Sequence, residues 1–316
     1  MVFSYLPAYT KLLSSGELQN RVTQAYKNME RCNLCAWECG VNRLQGKRGV
    51  CRTGDLALIS SFGAHLGEEN PLRGWRGSGT IFFTRCNLHC QYCQNHDISQ
   101  TDMGSEVTPE RLAMIMLELQ EAGCHNINFV SPSHVVPQIL AGVLTAAESG
   151  LRLPLVYNTG GFDSITALQL LDGVIDIYMP DMKYASASIG LRYSKIRNYP
   201  QVNQAAVKEM HRQVGDLQLD GQGLAQRGLL VRHLVLPNNL AGTHAIVDFL
   251  AQQISTDTYL NLMDQYHPEF HAAQFPMLNR TITRSEYQDA LHMAADAGLH
   301  RLDQALRHSS KVNTGG

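Results

Sequence analysis

The segment TRCNLHCQYCQN, Thr84 to Asn95, carries Cys86, Cys90 and Cys93 in one short loop directly behind the apolar run TIFFT. Three thiols are an odd number for disulfides and one fewer than closes a structural zinc site. The Cys-x3-Cys-x2-Cys spacing instead lets one loop wrap three corners of a cubane [4Fe-4S] cluster, leaving the fourth iron open to a small chelating molecule. A three-cysteine zinc site or an accidental cluster is the bland alternative. A second group, Cys32, Cys35, Cys39 and Cys51, offers four thiolates, a complete set for either zinc or an iron–sulfur cluster. Its plainest role is a folding staple in a glycine-rich stretch with little core of its own. Its sharper role is an electron relay or a partner-docking module. Cys124 stands alone at the end of a helical pattern and reads as a buried, apolar-like thiol.

The loop with three thiols needs a scaffold, and the chain around it supplies one. Short apolar runs read as buried strands at 80–84, 126–130, 154–158, 174–179, 229–236 and 258–263. Between them lie helical segments, among them TPERLAMIMLELQEAG, with Thr108 as N-cap, Pro109 at the first position and Gly123 as stop. Strands apolar on both faces and alternating with helices predict a parallel sheet with right-handed crossovers. The expected fold class is α/β, a partial (β/α)6 barrel rather than a doubly wound sheet. In such a barrel, chemistry gathers at the carboxyl ends of the strands, which is where Cys86 falls. The segment VGDLQLDGQGLAQRGLL predicts a hairpin before the fifth of these strands. Three zones are expected: an N-terminal helical and four-cysteine module (1–77), the barrel core (78–269) and a C-terminal helical extension (270–316) with a frayed SSKVNTGG tail. Ser14 and Glu17 predict a capping box for the first long helix.

A formal net charge of -2 over 316 residues gives no electrostatic footprint for nucleic acid or for an acidic membrane surface. No run approaches the ~20 apolar residues that span a bilayer, and MVFSYLPAYTKLLSSGE lacks the pattern of a secretory signal. The expected compartment is the cytoplasm, where cysteines stay thiols or metal ligands.

Cys86-x3-Cys90-x2-Cys93 after a first barrel strand resembles the signature of the radical S-adenosylmethionine (SAM) superfamily. That resemblance implies that the amino and carboxylate groups of SAM chelate the unique iron. Reduction of the cluster then cleaves the sulfonium to a 5′-deoxyadenosyl radical that abstracts hydrogen. GTIFFTRCNLHCQYCQN, YNTGGF, YMPDMK and QYH further resemble segments of the glycyl-radical-enzyme activases, typified by pyruvate formate-lyase activating enzyme. The N-terminal CNLCAWECGVNRLQGKRGVC resembles a branch related to that activase, which itself lacks the segment. The resemblance implies that Tyr92 packs near the adenine, that Thr159 and Asp181 lie around the cofactor carboxylate and a monovalent cation, with Asn158 standing where the family has an acid, and that His267 lies near the adenosyl group. Where the family has Gly-Gly-Glu for the cofactor's amino group, VSPSH offers Ser131 and Ser133; helix capping is the bland role for either. Arg232, interrupting the apolar run LLVRHLVL, demands an anion, and the cofactor carboxylate is the natural one. His233 points the other way.

The expected activity is therefore hydrogen abstraction from a protein or peptide substrate, with a glycyl radical enzyme as the implied partner and a flavodoxin or ferredoxin as electron donor. Radical modification of a small molecule or another macromolecule is the alternative within the class. A non-catalytic iron–sulfur redox sensor or electron carrier is the alternative outside it.

Overall fold

Residues 5–303 are described by the computed structural model, and nine strands lie among them. They are β1 (Ala57–His65), β2 (Ser78–Phe83), β3 (Ser105–Val107), β4 (Ile127–Val130), β5 (Leu155–Thr159), β6 (Ile177–Pro180), β7 (Gln218–Leu219), β8 (Ala225–Leu234) and β9 (Tyr259–Met263). Six pair in parallel in the order β2-β4-β5-β6-β8-β9. These are the six apolar runs of the sequence. A helix follows each of the first five, so the fold is an α/β partial (β/α)6 barrel.

Binary pattern explains the packing. The helix Pro109–Glu121 begins at Thr108, whose hydroxyl accepts the Arg111 N–H, and buries Leu112, Ala113, Ile115, Met116 and Leu119 along one face. That face joins a core shared with Ile81, Phe83, Ile127 and Phe129 of the sheet. Each such leucine contributes about 1.5–3 kcal/mol by leaving water. Inside the barrel a separate apolar cluster, Val156, Ile177, Met179 and Leu230, is plugged by Leu72. The hairpin forms as β7 against β8, with the Asp220 carboxylate accepting the Gln222 and Leu224 N–H groups at the turn.

Three features depart from the sequence reading. First, β1 pairs antiparallel with β2 and carries β3 on its other edge. Residues 57–65 thus extend the barrel sheet, although they precede the boundary expected at 77, and Tyr9, Leu18 and Ala25 join the main core. Second, the Ser14–Glu17 capping box does not form. Ser14 ends the helix Tyr9–Ser14, and Glu17 opens the next one behind Gly16, whose left-handed backbone leaves no side chain to cap it. Third, a capping box that the sequence reading did not mark, Thr283 with Glu286, opens the helix Arg284–Asp296. The tail SSKVNTGG and residues 304–308 of the expected C-terminal extension lie outside the described residues.

Candidate active site

The chain leaves β2 through Arg85, which holds a left-handed backbone at φ 69°. Such a conformation costs a non-glycine residue about 1–2 kcal/mol, and Arg85 is over-determined to bear it. Its guanidinium reaches Asp102 at 2.9 Å and the Arg52 carbonyl at 2.5 Å, and its N–H donates to the Ile98 carbonyl. The turn throws Cys86, Cys90 and Cys93 over the carboxyl ends of the strands. Leu88, between the first two, packs on the backbone of Gly160, where a Cβ would collide with its Cδ1. The firmer need for glycine in YNTGG is at Gly161, at φ 75°, where a Cβ would meet the Asp181 carbonyl oxygen and the Asn203 amide.

Each sulfur of this loop meets a polar group. Cys86 Sγ accepts the Leu88 N–H at 3.4 Å, Cys90 Sγ accepts the Ser194 hydroxyl at 3.0 Å, and Cys93 Sγ lies 3.1 Å from Ser99 Oγ. Burial pushes the Cys86 thiol up to about 12 and the Cys90 thiol up to about 11. Sulfurs so placed become thiolates only when a cation takes the proton's position, and hydrogen bonds then stabilise the metal-bound form. The donor set fits a cluster with one open iron. Among the described residues no group of three or more His, Cys, Asp or Glu side chains is arranged to hold a single metal ion. A cubane spreads its thiolates over several irons and sets a looser demand.

Cys90 and Cys93 open into a cavity of about 720 Å³. A line of alternating charge crosses it. Lys183 Nζ lies 2.5 Å from Asp181 Oδ2, Arg232 Nε donates to Asp181 Oδ1 at 2.9 Å, and Arg232 Nη1 stands 3.9 Å from Glu69 Oε1. Arg232 Nη2 also donates to Asn158 Oδ1 at 2.8 Å. Burial pushes the Asp181 carboxyl up, but the Arg232 and Lys183 cations outweigh it and hold the group below its ordinary range. Phe82, Val130, Leu234 and Met263 form an apolar wall.

The sequence-predicted residues divide. Tyr92, Asn158, Asp181 and Arg232 line the cavity with Cys90 and Cys93. Tyr92 packs edge-on against Tyr184 and Tyr266. Thr159 and Ser133 turn away: Thr159 donates to Asp163 at 2.7 Å, and its hydroxyl meets that of Ser133 at 2.9 Å, all buried. Neighbouring strand residues face opposite sides, so Asn158 and Thr159 cannot both reach one ligand. Ser131 sits at the turn after β4 with φ 57° and does not line the cavity. His267 is half exposed and contacts Gln94 and Glu269 beyond the rim. The anion expected for Arg232 from a ligand is supplied by Asp181. With both Asp181 oxygens taken by cations and Thr159 engaged elsewhere, the expected monovalent-cation site is not formed by these two. His233 is buried, its ring nitrogens meeting the Met182 carbonyl and the Thr243 hydroxyl.

Two residues without an assigned role enter the site. Lys183 shares the face of Asp181 two positions earlier, a spacing visible in MPDMK. Glu69 comes from the loop ahead of β2, and no local pattern in HLGEENPLRG marks it.

The four-cysteine group is closed. Cys32, Cys35 and Cys51 are buried and Cys39 is partly exposed, its Sγ lying where a Cβ on Gly49 would have to go. Burial raises the Cys35 thiol, and the nearby Cys51, Cys32 and Cys39 raise it further; Cys32 and Cys35 accept backbone N–H groups from Leu34 and Trp37. Trp37 joins the two cysteine regions, donating from its indole to the Asn87 carbonyl at 2.6 Å. Arg43, fully buried, donates to the Gly54 and His134 carbonyls.

A six-stranded parallel barrel with a three-cysteine loop at its carboxyl mouth defines a class, and residues 80–250 match the Radical SAM superfamily. The chain belongs to that superfamily. It is 32% identical over 290 residues to an uncharacterized protein of Methanocaldococcus jannaschii, a match covering 89% of this chain and 79% of the relative. Among solved structures it is similar to a radical SAM methyltransferase from Sphaerobacter thermophilus, with a TM-score of 0.49 and 13% identity over 70% of this chain and 64% of that one. It is also similar to HydG, a maturase of the [FeFe]-hydrogenase, with a TM-score of 0.48 and 12% identity over 68% of this chain and 47% of that one. The chain thus spans less than two thirds of either solved protein. No described helix is long and apolar enough to cross a membrane.

Proposed function

We propose that this protein is an iron–sulfur enzyme that binds SAM in the cavity beside Cys90 and Cys93 and cleaves it reductively to abstract hydrogen from a protein or peptide substrate, in the manner of a glycyl-radical-enzyme activase. The observation that carries the reading is the opening of the three-thiol loop into a large, charged cavity within a radical SAM domain. Cys86, Cys90 and Cys93 would hold the cluster, which would supply the electron for reductive cleavage of SAM. The chain's own residues do the remainder. Ser194, Ser99 and the Leu88 N–H hold the three sulfurs in orientation. Asp181 fixes Lys183 and Arg232 so that two cations face the cavity, where a carboxylate is the matching ligand group. Phe82, Val130, Leu234 and Met263 exclude water from one wall, which protects a reactive intermediate.

Tyr92 is the proposed packing surface for the adenine, and a flavodoxin or ferredoxin the proposed reductant. For Cys32, Cys35, Cys39 and Cys51 the proposed role is a metal centre, zinc or a second cluster, around which the four thiols would draw together and staple the loop to the barrel. Oxygen-free reconstitution, chemical reduction and assay of 5′-deoxyadenosine test the principal reading. Product from the wild type and none from Cys90→Ala is expected; equal product from both would end it. Iron, sulfide and zinc analysis of the Cys86/Cys90/Cys93 triple alanine variant identifies the second metal.

A further inference from the structure

The charge line across the cavity is unfinished. From Lys183 it alternates cation, anion, cation, anion, through Asp181 and Arg232 to Glu69. Glu69 is 7% exposed, yet only one of its oxygens is occupied. Oε1 accepts the Asn261 amide at 3.0 Å and faces Arg232; Oε2 is buried with no hydrogen-bond partner. A buried carboxylate oxygen left unpaired is costly, and proteins keep such a group where a ligand completes it.

Its neighbours cannot. Both oxygens of Asp181 are taken by Lys183 and Arg232, and Glu68 lies 3.4 Å from the His65 ring. Arg73 turns its guanidinium to the Asn70 side chain. The cavity lining as a whole carries five Asp and Glu side chains against three Lys and Arg side chains and His65, so acids outnumber bases around it.

The backbone under Glu69 is preset. Its carbonyl accepts the Leu72 and Arg73 N–H groups, and Leu72 is locked into the apolar plug of the barrel. The backbone that carries the side chain is therefore fixed before any ligand arrives, and the Asn261 amide holds one carboxylate oxygen, as a binding residue requires.

We propose that Glu69 receives a cationic nitrogen of the substrate, an ammonium or guanidinium group, so that the substrate of this site is a cationic one. The inference rests on the cavity being the substrate site of the radical SAM reading. The charge line begins beside Cys90, and Glu69 ends it two ion pairs further on. SAM, which must sit at the cysteines, engages the near end; the far end is left for the second molecule.

The test uses the cluster-reconstituted, oxidised full chain, which does not turn over. Ligand-observed NMR measures binding of n-butylammonium and methylguanidinium, with 1-butanol as the uncharged control, and calorimetry measures SAM on the same samples. Glu69→Gln is expected to weaken both cations by at least about tenfold, the loss of a charge-assisted hydrogen bond, while leaving 1-butanol and SAM unchanged. Glu69→Asp, which keeps the charge, is expected to retain the preference for cations over 1-butanol and guards against a folding defect in the first variant. Loss of SAM affinity with cation binding intact would assign Glu69 to SAM and overturn the proposal, as would cation binding equal in wild type and Glu69→Gln. Production of 5′-deoxyadenosine after reduction reports on the proposed activity separately, so failure of one reading leaves the other standing.

Discussion

The two cysteine groups lie in neighbouring loops, use the same kind of backbone N–H to sulfur contact, and end in opposite environments. Cys90 and Cys93 of the three-thiol loop face a cavity of about 720 Å³ with charged residues at hand. Of the other four, Cys32, Cys35 and Cys51 are buried, the Cys39 sulfur lies against Gly49, and none of them lines that cavity. Three ligands with space beside them suit chemistry, and four without space suit a staple. The thiol count alone distinguishes them only on paper; what surrounds the sulfurs gives the count its meaning.

The largest expected difference comes from removing one thiol from each group. Cys90→Ala is expected to take 5′-deoxyadenosine formation to background, while Cys35→Ala lowers the melting temperature and leaves cleavage by the folded fraction in place. Cleavage lost in folded Cys35→Ala protein would make the closed group part of the chemistry and erase the contrast. Asp181→Asn comes next. It strips the anion from between Lys183 and Arg232, and breaking such a pair is expected to cost about 3–5 kcal/mol in urea unfolding. Cys32→Ala, in the closed group, should leave that ion-pair line unaffected, so a double variant with Asp181→Asn is expected to be additive in the same measurement.

The joint between the regions is expected to be acid-sensitive. Burial, with the Arg43 guanidinium beside it, pushes His134 down to about 3 from an ordinary 6.5. The neutral ring therefore contributes stability above about pH 6.5 that is lost as pH falls towards 3, on the order of 2 kcal/mol by pH 5. Unfolding midpoints in this window should flatten in His134→Gln. A wild-type profile flat between pH 6.5 and 5 would show His134 to be less isolated than its contacts imply. The smallest effect is expected from Trp37→Phe, which deletes the hydrogen bond to the Asn87 carbonyl and should cost about 1 kcal/mol. A larger drop in bound iron than in stability would mean that the indole also shapes the three-thiol loop.

Much of the barrel was legible because its signals are short-range. Thr108, Pro109 and Gly123 bracket one helix, and six apolar runs became the six parallel strands within one to four residues at their ends. β1 was missed because ALISSFGAH mixes apolar and polar residues on a half-covered edge and lacks the continuous apolar run of a buried strand. The Ser14–Glu17 pattern misled because a helix ended at Ser14, and a capping motif has meaning only at a start.

The site itself was legible where spacing within one loop carries the information. Cys86, Cys90 and Cys93 lie within eight residues, and the geometry of so short a segment follows from the spacing of its side chains. Pairing between distant segments is another matter. Arg232 meets Asp181 across 51 residues, and Glu69 meets Asn261 across 192. Composition and periodicity indicate that such charges need partners; strand order and register choose which ones. Thr159 turned from the cavity and Glu69 turned into it for that reason: the face a residue presents depends on what its neighbours in space, rather than in sequence, leave open.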